Sequence, residues 1–75
     1  MEAQIQHLER ALNRLTDRDK ALFSKVVAAY SKHDIQRANV FANELVEMRK
    51  MASFMMNSKL ALERVVLRLR TVSEL

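Results

Sequence analysis

Two runs of apolar residues spaced alternately three and four apart, separated by one short polar break, constrain this chain more than any other feature. The first run is Ile5, Leu8, Leu12, Leu15, Leu22, Val26 and Ala29, continuous once Asp19 is counted as its single polar member. The second is Phe41, Leu45, Met48, Ala52, Met55, Leu62, Val66 and Leu69, with Lys59 as its polar member. A three-four alternation is the seam of helices that pack side by side. The break falls at Ser31-Lys32-His33-Asp34. Asp34 suits the N-cap of a new helix beginning at Ile35, because its carboxylate can accept from the unpaired N–H groups of the first turn. His33 takes the place where a helix commonly ends on glycine. The chain contains no Gly and no Pro, so it carries neither of the usual markers of further turns.

A connection of two or three residues leaves the second helix little choice but to fold back on the first. The expected fold is therefore all-α: a long antiparallel two-helix hairpin, helix one at about 2–31 and helix two at about 35–74, with coiled-coil-like packing. At 1.5 Å per residue helix two would be about 60 Å long and helix one about 45 to 50 Å, so the C-terminal part of helix two overhangs its partner. Folding back brings Val26 near Phe41, Leu22 near Leu45, Leu15 near Ala52, Leu12 near Met55 and Ile5 near Leu62. It also sets Asp19 near Met48 and Arg49. A carboxylate buried without a partner costs several kcal/mol, so Asp19 is expected to reach Arg49 or to lie at the wet edge of the seam. Lys59 can bury its stem and keep its ammonium in water.

At 75 residues the chain forms one small unit, a single domain over 1–75. A chain of this size buries only about 60% of its unfolded surface, so a partner is expected. With no Cys there is neither a disulfide framework nor a thiolate metal site, which fits a cytoplasmic protein. No apolar run approaches the roughly 18 residues a spanning helix needs, and the N-terminus lacks the pattern of a secretory signal.

Helix two is more apolar than one neighbour requires. A stripe somewhat over 100° wide is enough to pack against a single helix. Beside the seam runs a second row, Met51, Phe54, Ala61, Val65 and Val72, which widens the apolar sector to roughly 160°. Met56, Leu60 and Leu67 lie on yet another side. Two explanations fit: a core completed by helices of other chains, or a self-association surface repeated from subunit to subunit. Four Met between Met48 and Met56 suit either, since methionine packs adaptably.

The formal net charge is +4, and its placement is uneven. On helix one Arg10, Arg14, Arg18, Lys25 and Lys32 project within roughly 80° of one another, while Glu2, Glu9 and Asp17 point elsewhere. Like charges four apart destabilise an isolated helix by a few tenths of a kcal/mol per pair, so the Arg10-Arg14-Arg18 row invites an anionic partner. Besides a simply solvated face, lipid headgroups and nucleic-acid phosphates are the candidates. The Asn, Gln or aromatic residues that read nucleic acid are not interleaved with these arginines. Catalysis has no footing: His7 and His33 are far apart, and there is no metal-binding His-Glu-x-x-His, no Gly-rich phosphate loop and no nucleophile constellation. No enzyme activity, cofactor, metal or small-molecule substrate is expected.

The stretch from Ala38 to Val72, "ANVFANELVEMRKMASFMMNSKLALERVVLRLRTV", resembles the second helix of the ESCRT-III family, most of all its archaeal CdvB branch. The resemblance is carried by Arg37 to Glu44, just after the hairpin tip, by Arg49-Lys50, and by Leu60-Ala61-Leu62-Glu63-Arg64-Val65. "KALFSKVVAAYSKHD", Lys20 to Asp34, is similar to the end of the family's first helix and its turn. The resemblance implies a hairpin that polymerises with copies of itself and with paralogous subunits into filaments. These filaments would bind anionic membrane through a basic first helix and drive constriction or scission, in archaea during cell division, at the inner face of the cell membrane. It also implies disassembly by an AAA+ ATPase, acting through later helices and a C-terminal tail that have no counterpart in these residues. Helix two's surplus row would then pack neighbouring hairpins, with Met51, Phe54, Met56, Leu60, Ala61, Val65, Leu67 and Val72 as the assembly interface. Phe54→Glu or Val65→Glu is expected to abolish assembly. The alternatives are a closed four-helix dimer with no membrane role, or a small basic nucleic-acid-binding protein.

Overall fold

The computed structural model describes residues 1–74 and is a rod of 63 × 15 × 13 Å. It consists of two helices, α1 at Glu2–Ser31 and α2 at Ile35–Glu74, packed antiparallel along their length. This is the expected hairpin, with the expected boundaries.

The turn is built from backbone hydrogen bonds that compensate for the missing glycine. Lys32 leaves helical geometry with φ −92° and ψ 4°, and His33 adopts a left-handed conformation at φ 59°. The His33 N–H donates to the Tyr30 carbonyl at 3.0 Å, and the Asp34 N–H reaches back to Ala29 O at 2.9 Å. This paired arrangement closes a helix on one left-handed residue. A non-glycine there costs about 1 kcal/mol of steric strain, which the surrounding bonds must offset. Asp34 then starts α2: its Oδ1 accepts from the Arg37 N–H at 3.1 Å, and its carbonyl accepts from the Ala38 N–H at 3.0 Å. Two small residues, Ala29 and Ala38, are buried beside this turn and let the helix backbones converge.

The seams fill the interface between the helices. Leu15, Leu22, Leu45 and Met48 form the buried cluster, with Phe41, Ala52 and Met55 packed against it. Every residue of the α1 seam is buried or half-buried, and so is every residue of the α2 seam except Leu69, which is 54% exposed. Leu69 lies level with the first residues of the chain, where only Met1, Glu2 and Ala3 border it across the hairpin, so α1 ends too soon to cover it. The core is one layer thick: among the described residues no large side chain is fully buried. Two helices each bury one stripe and leave both flanks of the hairpin bare.

Candidate functional site

The two flanks differ in charge, and ion pairs between the helices define the first of them. The Arg49 guanidinium grips the Asp19 carboxylate with two parallel bonds, Nε to Oδ2 at 2.7 Å and Nη2 to Oδ1 at 3.2 Å. This hydrogen bond holds the Asp19 carboxyl below the usual carboxylate range, with burial opposing it and the charge of Arg49 adding to it. Ten residues away on each helix, Lys59 Nζ lies 3.5 Å from Glu9 Oε1. Lys59 therefore finds a partner in addition to burying its stem. Farther along, Arg70 reaches back to Glu2. The equal spacing of the Asp19–Arg49 and Glu9–Lys59 pairs fixes the antiparallel register, and in that register Glu2 stands opposite Val66. The residues after Arg70 form the overhang.

Met56 and Leu67 belong to this ion-paired flank. Met56 lines a shallow groove with Glu9, Leu12, Thr16 and Ala52, and Leu67 lines another with Glu2, Ile5, Glu63 and Arg70. Leu60 stands one heptad before Leu67 and shares its row. Toward the turn, Phe23 and Tyr30 continue the Glu2-Glu9 row of α1 at steps of seven, and both are exposed, as is Val27 between them. The sequence reading passed over this trio as a surface element. Its signal was present: apolar residues at i, i+4 and i+7 lying off the seam.

The second flank carries most of the unpaired positive charge. Lys25 Nζ sits 5.7 Å from the centroid of the Phe41 ring, within cation–π range. Lys25, Lys32, Asp34, Arg37 and Phe41 together line a groove beside the turn. Heptad spacing extends this flank along both helices. On α1 Arg18 precedes Lys25 by seven, and Arg14 precedes Arg18 by four. On α2 Glu44, Met51, Val65 and Val72 follow Arg37 at multiples of seven, while Phe54, Ala61 and Arg68 form the adjoining row. Phe54 is 72% exposed, the most exposed of the large apolar side chains described. In the register set by Asp19 and Arg49, Arg14 and Arg18 lie level with Phe54 and Met51 on this flank.

Four cations of the expected basic stripe thus share a flank with Met51, Phe54, Ala61, Val65 and Val72 of the expected assembly interface, and Met56, Leu60 and Leu67 lie on the opposite flank. Arg10 stands apart from the other four cations. It shares with Asp17 and Ser24 the row of α1 that faces away from α2. Arg37 was missed because the stripe was sought on one helix only. It makes a long contact of 3.8 Å with Asp34, while Arg14, Arg18, Lys25 and Lys32 make no ion pair among the described residues. The acids on this flank are Asp34 at the turn, Glu44 and Glu47, and Glu47 is bonded to Lys50 at 3.2 Å.

Among the described residues no group of His, Asp and Glu is arranged to hold a metal ion. No described helix is long and apolar enough to cross a membrane. What the molecule offers chemically is two long exposed surfaces, one self-neutralised and one cationic.

Two proteins of Sulfolobus acidocaldarius are similar to the chain. Cell division protein B1 is 42% identical over 71 residues, which is 95% of this chain and 33% of that protein. Cell division protein B is 41% identical over 75 residues, the whole of this chain and 29% of that protein. The chain spans about a third of the length of these curated relatives. No protein-family model matches it, and no solved structure does. The likeness runs through both helices and the turn. The chain belongs to the cell division protein B family, the archaeal CdvB branch of the ESCRT-III-like proteins.

Proposed function

We propose that this hairpin is the polymerising core of a protein of archaeal cell division, a filament subunit that works on the inner face of the cell membrane in constriction or scission. The observation that carries this reading is the one-layer core with apolar residues exposed on both flanks. A closed dimer related by a two-fold axis covers one patch shared by both subunits. Here Met56, Leu60 and Leu67 on one side, and Met51, Phe54 and Val65 on the other, would leave one flank bare in such a dimer. Contacts that do not close on themselves can cover both, and they generate open filaments. Copies and paralogous subunits of the same hairpin are the natural partners. The names of the two Sulfolobus relatives support the role in division.

Membrane attachment in this reading is electrostatic. Each basic residue held near an anionic leaflet contributes about 1 kcal/mol. A filament multiplies modest contributions by avidity. An AAA+ ATPase would act through parts of the longer protein outside the hairpin.

The test is sedimentation of the chain with and without phosphatidylserine vesicles across a range of salt, with negative-stain imaging of the pellet. Salt-sensitive co-pelleting as filaments or coated vesicles is expected. A fixed dimer that stays in the supernatant would assign the apolar surplus to a closed four-helix bundle. Salt-sensitive retention on DNA or RNA without vesicle binding would assign the cations to nucleic acid.

A further inference from the structure

We propose that Met51 and Met56 are oxidation sites through which a peroxide takes the hairpin out of its assemblies. This rests on the filament reading above and adds a means of regulating it. With no Cys in the chain, five methionines hold all of its sulfur. The fold sorts them. Met48 is buried in the central cluster, and Met55 packs against that cluster. Met51 and Met56 are 53% and 46% exposed, and they stand on opposite flanks: Met51 in the row of Arg37 and Val65, Met56 in the groove with Glu9 and Thr16. Met1 is exposed at the open end of the hairpin, in the groove that Leu69 also lines.

Placement gives oxidation its consequence. A contact that does not close on itself joins one flank of a hairpin to the other flank of the next. Each such interface therefore draws on the Met51 side of one copy and the Met56 side of its neighbour. There an unoxidised thioether packs adaptably against apolar side chains. In the reaction the sulfur lends an electron pair to one oxygen of hydrogen peroxide; the O–O bond breaks, an S–O bond forms, and the other oxygen leaves with both protons as water. Sulfur is oxidised by two electrons and the peroxide is reduced by two. The sulfoxide is polar, and its oxygen loses its hydrogen bonds to water when the flank is covered. Met48 is screened by the seam, so the oxidised hairpin stays folded while its flanks no longer pack. Covering acts in return on the chemistry: a methionine held in a contact is shielded from peroxide, so free subunits are oxidised ahead of assembled ones.

The experiment treats the chain with hydrogen peroxide, removes the excess with catalase, and maps the added oxygen by peptide mass spectrometry beside circular dichroism and sedimentation velocity. Met51 and Met56 are expected to gain one oxygen each well before Met48, with helicity kept and sedimenting assemblies lost. The protein concentration needed for assembly should rise about tenfold for each sulfoxide. Methionine sulfoxide reductases for both sulfoxide epimers should restore assembly. Met51→Leu with Met56→Leu nearly conserves volume, and this double variant should assemble before and after treatment although Met1, Met48 and Met55 remain. The inference is overturned if Met48 is oxidised as fast as Met51 and Met56, if chain oxidised at both sites assembles like untreated chain, or if the double variant loses assembly to peroxide equally. A fixed dimer that peroxide splits into monomers would keep the oxidation sites and remove the filament reading. Filaments indifferent to peroxide would do the reverse, and untreated chain that stays monomeric would overturn both.

Discussion

The two flanks of the hairpin are made from the same helices and seams, yet only one of them is electrostatically complete. On one side Asp19–Arg49, Glu9–Lys59 and Glu2–Arg70 tie α1 to α2 and neutralise most of their own charge. On the other Arg14, Arg18, Lys25 and Lys32 lie near one another with no ion pair among the described residues, beside an uncovered Phe54. Charges answered within the fold serve register, whereas charges left open in a row cost the isolated molecule a little and suit a partner. The apolar residues divide in the same way. Met56 and Leu67 sit among paired acids and bases, and Met51 and Phe54 sit on the side where cations outnumber acids.

The largest effect should come from separating the flanks by mutation. Leu67→Glu on the ion-paired flank and Val65→Glu on the cationic flank are each expected to eliminate sedimenting assemblies while leaving soluble helical protein, because an open filament needs a contact on both sides. Loss in only one of the two would confine hairpin contacts to that flank. Next in size is the core that supports both flanks. Leu22→Ala should destabilise the hairpin by about 2 to 4 kcal/mol, read by denaturant unfolding, because the residual cavity adds to the lost transfer energy.

A smaller effect concerns the buckle on the ion-paired side. Asp19 is held below its ordinary pKa by the bond from Arg49. Its stabilising contribution is therefore complete above the usual carboxylate range and is lost as pH falls through the lowered folded value. Thermal unfolding followed from neutral pH down to about pH 3 should show the wild type losing more stability than Asp19→Asn over that interval. Parallel losses would mean that Arg49 does no more for Asp19 than water does. The smallest effect lies at the turn that joins the flanks. His33→Gly should raise stability by up to about 1 kcal/mol, by relieving the left-handed strain at φ 59°. A decrease would show that the greater freedom of glycine in the unfolded chain outweighs that relief.

Much of the fold could be read along the chain because its signals are local. The seam from Ile5 to Ala29, the break at His33, the cap at Asp34 and the seam from Phe41 to Val66 each depend on residues within a turn or two. The meeting of Asp19 with Arg49 was also legible, since folding back at a known turn sets one helix's numbering against the other's. Leu69 was assigned to the seam and emerged exposed, because a heptad position is buried only where a partner helix is long enough to cover it. The pairing of Glu9 with Lys59 follows from the same numbering, and it was missed because Lys59 was read only as a seam residue burying its stem and Glu9 only as part of the acidic side of α1.

The sequence by itself determined two helices, their boundaries, the stripe each would bury and the fact that apolar and cationic residues were left over. The helical period supplies that much, because it assigns every residue an angle about a single axis. Only the tertiary structure decided which leftovers are neighbours. It put Arg14 and Arg18 on the same flank as Phe54 and Met51, and it set Glu9 and Asp19 against Lys59 and Arg49. The physical reason is that a shared flank is a property of two axes, created when chain direction and axial offset are locked by packing and ion pairs across thirty or more residues.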